Sequence, residues 1–248
     1  MQDAALLESV TPLKARRDSS DRIVVPVDGR CSSILDALKW RVLGVLGSML
    51  HLDRIPGRHL RRNPLLLQLG SGSDLQVGFV NSDFHRVPLL MRRPKPDWSM
   101  DITRPLRCPD ACVDGIFTQH TLEHVSPAQV LALLRECARV LKPGAIMRVI
   151  VPDAERYALA VAGLDSVPAN GHDYELPIEA LRAISQDFGH RSLWSPELMR
   201  RYMIAAGFHD VRIESFRSGR DGRLLIDSAS RRDESMFVEG AAGRAPEA

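Results

Sequence analysis

The segment that most narrows the possible folds is Leu65-Leu66-Leu67-Gln68-Leu69, which stops at Gly70-Ser71-Gly72. A short run of nearly consecutive apolar residues suits a strand covered on both faces, as in a parallel sheet. Glycines directly after it let the backbone turn sharply and let a ligand come close to the main chain. Further strands are expected at Val77–Val80, at a weak segment around Trp98, at Val113–Thr118 and at Ile146–Val151. Val211 and Ile213 alternate as another, and Met236–Glu239 reads as the last.

Helices fall between them. Ser126-Pro127-Ala128-Gln129 combines a capping serine, a proline suited to the first turn and a glutamine able to close a capping box. Val130, Leu134, Cys137 and Leu141 then share one face, and Lys142-Pro143-Gly144 stops the helix. A second helix starts at Ser195-Pro196-Glu197 and ends at Gly207. Strands alternating with helices predict an α/β fold with a doubly wound, mostly parallel sheet. In such a sheet ligands sit beyond the carboxyl ends of the strands.

Residues 63–248 are assigned to this main domain, with 155–194 breaking the alternation and read as a lid insertion. Residues 1–62 form an N-terminal arm. Its residues 32–53 are expected to be helical, and 54–64, with Pro56, Gly57 and Pro64, a linker. The most apolar segment, Ile34–Leu52, contains Asp36, Lys39 and Arg41, so it is a poor transmembrane segment. Packing onto the core or a homodimer contact suits it better.

The length of 248 residues allows one domain with elaborations. A net charge of +2 gives no global reason to expect nucleic acid or a membrane as partner. Cys31, Cys108, Cys112 and Cys137 form no C-x-x-C pair and no zinc-spaced cluster, so no metal is expected from them and reduced thiols in the cytoplasm are the reading. Met1–Arg17 lacks the apolar core of a secretory signal.

Two acids follow strand ends. Asp83 can accept hydrogen bonds from both hydroxyls of a ribose. Asp101, followed by the free N–H of Ile102, can read an adenine edge. Histidines cluster in the segment after the fourth strand, and a neutral imidazole suits a general base for a hydroxyl. His124 sits there, and His190 lies in the lid. Arg86, Arg92, Arg93 and Lys95 form one basic cluster and Arg217, Arg220, Arg223, Arg231 and Arg232 another. Both read first as solvated faces, with a phosphorylated acceptor as the sharper alternative.

Three stretches carry a resemblance. Val113 to Val125, reading VDGIFTQHTLEHV, is similar to the fourth-strand signature of small-molecule class I methyltransferases. Arg139-Val140-Leu141-Lys142-Pro143-Gly144-Ala145 resembles the approach to their fifth strand, and Ala206-Gly207-Phe208 the turn into their sixth. The resemblance covers roughly 65–153 and 195–240. It implies a seven-stranded Rossmann-like methyltransferase fold and S-adenosylmethionine as cofactor. Gly70, Ser71 and Gly72 would then line the methionine part, Asp83 the ribose, and Asp101 with Ile102 the adenine. Gln119 and His120 would lie under the sulfonium. Resemblance to sugar O-methyltransferases implies catalytic roles for His124 and Asp153 and a small-molecule acceptor, such as a sugar, glycan or natural-product hydroxyl.

One departure stands out. Gly72 to Val77 leaves almost no room for a helix after the first strand, and Gln68 stands near where an acid is common. A degenerate binding module is therefore a competing reading. Two others are weaker. His120-x-x-Glu123-His124 spells an inverted zinc-hydrolase pattern, but it straddles a strand end. A nicotinamide dehydrogenase would need a third glycine near Asp74-Leu75.

Overall fold

The computed structural model describes residues 54–84 and 96–243. The expected arm helix with its dimer contact and the cluster of Arg86, Arg92, Arg93 and Lys95 lie outside the described residues. Among the described residues no helix is long and apolar enough to cross a membrane.

Seven strands form one sheet: β1 (Leu66–Leu69), β2 (Phe79–Asp83), β3 (Trp98–Ser99), β4 (Val113–Gln119), β5 (Leu141–Pro152), β6 (His209–Glu214) and β7 (Ser235–Ala241). Their order is β3-β2-β1-β4-β5-β7-β6. The first five run parallel, and β7 is antiparallel to both its neighbours. All four residues of β1 are buried, as an unbroken apolar run requires. Gln68 is tolerated there because its amide donates to the Asp74 carbonyl at 3.0 Å and accepts from the Gln76 N–H at 3.2 Å.

Four helices are described: α1 (Pro127–Val140), α2 (Ala154–Val161), α3 (Pro177–Arg182) and α4 (Pro196–Ala205). The capping box at the start of α1 forms as expected between Ser126 and Gln129. Alternate strand residues feed two cores. Leu67, Val80, Ile116 and Val149 pack with Leu134 of α1 and Met203 of α4. Leu66, Phe79, Phe117 and Phe237 pack with Leu224, so the β6–β7 connection covers that face.

β5 points one charged residue, Arg148, into the second core. It is fully buried, and its five N–H groups are all used. Asp227 takes two, Glu239 one, and the Ser215 and Ser218 carbonyls one each. This network ties the β6–β7 connection to the middle of the sheet.

Two expectations change. The second strand is Phe79–Asp83, not Val77–Val80, and Val77 is 98% exposed. Polar Asn81 and Ser82 sit inside the strand because Asn81 holds Gln76 and Asp97 and Ser82 Oγ donates to the Gln68 carbonyl. Residues 54–62 do not hang free. Ile55 and His59 are buried, and the Ile55 N–H donates to the Arg107 carbonyl. The lid carries structure of its own, with Tyr157, Ala180 and Ile184 forming a small core under α2 and α3.

Candidate active site

The carboxyl ends of β1 to β4 bring the glycine turn, Asp83, Asp101 and Gln119-His120 to one edge of the sheet. Gly70 and Gly72 both take positive φ, 69° and 55°. A Cβ on Gly70 would overlap Thr121, 2.8 Å from that residue's Cβ, whereas Gly72 faces open space. Thr121 thus packs the loop after β4 onto the turn after β1. The Asp83 carboxylate accepts the Gly72 N–H at 2.5 Å and the Phe84 N–H at 2.6 Å. Ser71 Oγ is buried with no partner.

Asp101 closes its own loop by accepting from the Thr103 N–H and hydroxyl, at 2.9 and 2.6 Å, and pairs with Arg104. Ile102 is partly buried against the main core. The Gln119 side-chain oxygen accepts the Ser228 N–H at 3.0 Å, which anchors the β6–β7 connection.

A cavity of about 240 Å³ opens beyond β4 and β5, beside residues 170–190. Its walls carry His120, His124, His172 and His190, together with Glu123 and Arg231. His120 is held at φ 49°, a left-handed conformation that a non-glycine residue adopts at a cost. The bend turns its ring into the cavity, and Nε2 lies 2.8 Å from Ser235 Oγ.

Glu123 lies at the base of this wall, 1% exposed, in a short 3₁₀ turn (Leu122–His124). Neither carboxylate oxygen has a hydrogen-bond partner. His120 Nδ1 is 3.5 Å from Oε1, and Nε2 of both His124 and His190 is 3.9 Å away. Burial pushes the Glu123 carboxyl up to about 8, with Glu234 adding to the effect. Burial also pushes His120 down to about 3, with Arg231 and the two other imidazoles contributing. The His124 and His190 rings likewise lie below the ordinary imidazole range because of burial. All three imidazoles are therefore neutral at pH 7.

Asp153, expected beside His124, is not among the residues lining the cavity. Its carboxylate accepts the Glu155 N–H at 3.1 Å and caps α2, the first lid helix. Of the late arginines only Arg231 reaches the cavity wall, and it pairs with Glu234 at 2.7 Å. Arg220 and Arg223 are paired with acids of the β6–β7 region.

Residues 90–149 match the family model described as a methyltransferase domain. That span runs through β3, β4, α1 and most of β5, in a seven-stranded sheet whose single reversed strand is β7. Over that span the chain resembles class I S-adenosylmethionine-dependent methyltransferases. No curated protein sequence matches it. Among solved structures it is similar to a SAM-dependent methyltransferase from Archaeoglobus fulgidus, with a TM-score of 0.48 and 17% identity over 84% of this chain and 98% of that one. It is also similar to a chain from the complex between the Haloferax volcanii Trm112 methyltransferase activator and a methyltransferase, with a TM-score of 0.47 and 19% identity over 86% and 98%.

Sequence reasoning placed the strand-end residues but missed much of the cavity. Asn170, His172 and Glu234 carried no local signal, because only the fold brings them together. Glu123 had one: a glutamate between Leu122 and Val125, both buried, is flanked as a core residue is.

Proposed function

We propose that this chain transfers a methyl group from S-adenosylmethionine to a hydroxyl of a small polar acceptor. When bound, the cofactor supplies a methyl group on a sulfonium, which departs as S-adenosylhomocysteine when the acceptor oxygen takes the methyl carbon.

The residues fit that cofactor. Gly72 leaves the backbone open, and the unpartnered Ser71 hydroxyl waits for a polar atom. Gly70, Ser71 and Gly72 would carry the methionine end, Asp83 the ribose, and Asp101 with Ile102 the adenine. Each Asp83 oxygen already accepts one backbone N–H and keeps a second lone pair for a ribose hydroxyl. Gln119 and His120 separate this edge from the cavity.

The acceptor enters under the lid. At about 240 Å³ the cavity is smaller than the range typical of whole drug-sized ligands, so it takes one ring or one end of a larger molecule. Its polar walls suit a sugar or a similarly hydroxylated ring. His124 and His190, neutral by burial, deal with the proton of the acceptor hydroxyl.

One observation carries the reading: the glycine turn and the histidine cavity flank the same end of β4, joined through Thr121 and His120. Calorimetric titration with S-adenosylmethionine and S-adenosylhomocysteine tests it. Micromolar affinity, about −8 kcal/mol, is the expected result. Absence of binding to both would leave a degenerate binding module as the better account.

A further inference from the structure

We infer that Glu123, His124 and His190 form a binding site for one divalent first-row transition metal ion at the base of the acceptor cavity. The nearest ligand atoms of these three side chains all lie within 4.8 Å of one another. Ligands bound tetrahedrally at about 2.0–2.1 Å stand about 3.3 Å apart. The two Nε2-to-Oε1 separations of 3.9 Å need only a small contraction around an ion.

The strongest sign is Glu123 itself. A buried carboxylate without a single hydrogen-bond donor is costly, and a cation at this point removes the cost. The His190 imidazole is also oriented as a ligand. Its Nδ1 donates to the Ile184 carbonyl at 2.5 Å, which fixes the tautomer and leaves the Nε2 lone pair facing Glu123. His120, with Nδ1 at 3.5 Å from Oε1, supports the carboxylate from outside the triad.

Two imidazoles and one carboxylate favour zinc, manganese or iron over magnesium or calcium, which prefer oxygen ligands. The assignment differs from the zinc-hydrolase pattern in the sequence. His190 of the lid replaces His120 as second imidazole, and the glutamate is a ligand instead of a base. Because the ligands come from the turn after β4 and from the lid, the ion fastens the lid to the sheet. Three protein ligands leave a coordination position facing the cavity. There the ion would hold the acceptor hydroxyl and lower its pKa, with the proton passing to solvent water, and His124 and His190 would serve as ligands in place of bases. That role rests on the methyltransferase reading, whereas metal binding does not.

The test uses the full-length chain stripped with chelator, then dialysed against Zn²⁺, Mn²⁺ or Mg²⁺ and analysed for bound metal. S-adenosylhomocysteine affinity is titrated separately. The expected result is one Zn²⁺ or Mn²⁺ per chain, no stoichiometric Mg²⁺, and at least about 100-fold weaker metal binding in Glu123→Gln and in His190→Ala. His190→Ala, on the lid, provides the second variant if Glu123→Gln misfolds. Substoichiometric metal in the wild type, or variants that bind as it does, overturns the site. Metal binding without S-adenosylhomocysteine binding would keep the site and reject the methyltransferase reading, and the converse would do the opposite.

Discussion

Replacing Arg148 by methionine would remove the fully buried cation between Asp227 and Glu239, leaving Arg220 at 3.6 Å from Glu239 as the remaining cation. Asp227 and Glu239 are 1% and 0% exposed, and the guanidinium gives three of its five hydrogen bonds to them. After the change each carboxylate keeps one backbone donor, the Arg217 N–H at 2.7 Å for Asp227 and the Arg220 N–H at 2.9 Å for Glu239. The Ser215 and Ser218 carbonyls lose a donor each. Removing one partner of a buried ionic group costs about 3–5 kcal/mol, and the two surviving donors place this case toward the middle of that range. Domain stabilities run to about 5–15 kcal/mol, so a large share would be lost. Arg148→Lys keeps the charge but not the planar fork, and should lie between wild type and methionine. Equilibrium urea unfolding of the three proteins measures the difference. The β6–β7 connection supplies Ser228, Arg231 and Glu234 to the site region, so cofactor binding should weaken together with stability. A loss below about 1 kcal/mol in Arg148→Met would refute the view that this network fastens the connection to the sheet.

Gly70→Ala combines left-handed backbone strain of about 1–2 kcal/mol with a collision against Thr121. Stability and S-adenosylhomocysteine affinity should both fall. Adding Thr121→Gly should restore only the steric part, and full restoration would show that the backbone conformation does not matter. A third prediction concerns acid. Arg139, with the Leu106 N–H, holds Glu136 below the usual carboxylate range. A depressed folded value means the stabilisation is complete above the unfolded value of about 4.3 and is lost as pH falls through the folded one. The pair is partly exposed, so about 0.5–1 kcal/mol is at stake. The stability gap between wild type and Glu136→Gln should hold from pH 7 to 6 and shrink by pH 3.5, and a constant gap would contradict it.

What the sequence made legible was what local chemistry dictates. The apolar run of β1, the capping box of α1 and the alternation of Val211 and Ile213 in β6 depend on neighbours in the chain, and all were readable. β2 was misplaced because Asn81 and Ser82 are satisfied by Gln76, Asp97 and Gln68, which no window around β2 discloses. The burial of Arg148 is equally hidden from any local window, since its partners lie 67 to 91 residues away. The cavity was half legible. His120 and His124 come from a recognisable segment, but His172 reaches the cavity and His190 approaches Glu123 only through the folding of residues 155–194. A residue after a strand serves equally well as a helix cap, and Asp153 caps α2.

The central claim is that two adjoining regions divide the labour, with the cofactor on the strand-end acids and the acceptor under the lid. Titrating S-adenosylhomocysteine into Asp83→Ala and His124→Ala, each verified as folded, tests this division most directly. A loss of at least about tenfold for Asp83→Ala, or 1.4 kcal/mol, with less than about threefold for His124→Ala, is the predicted result. Equal losses, or none for Asp83→Ala, would contradict the account.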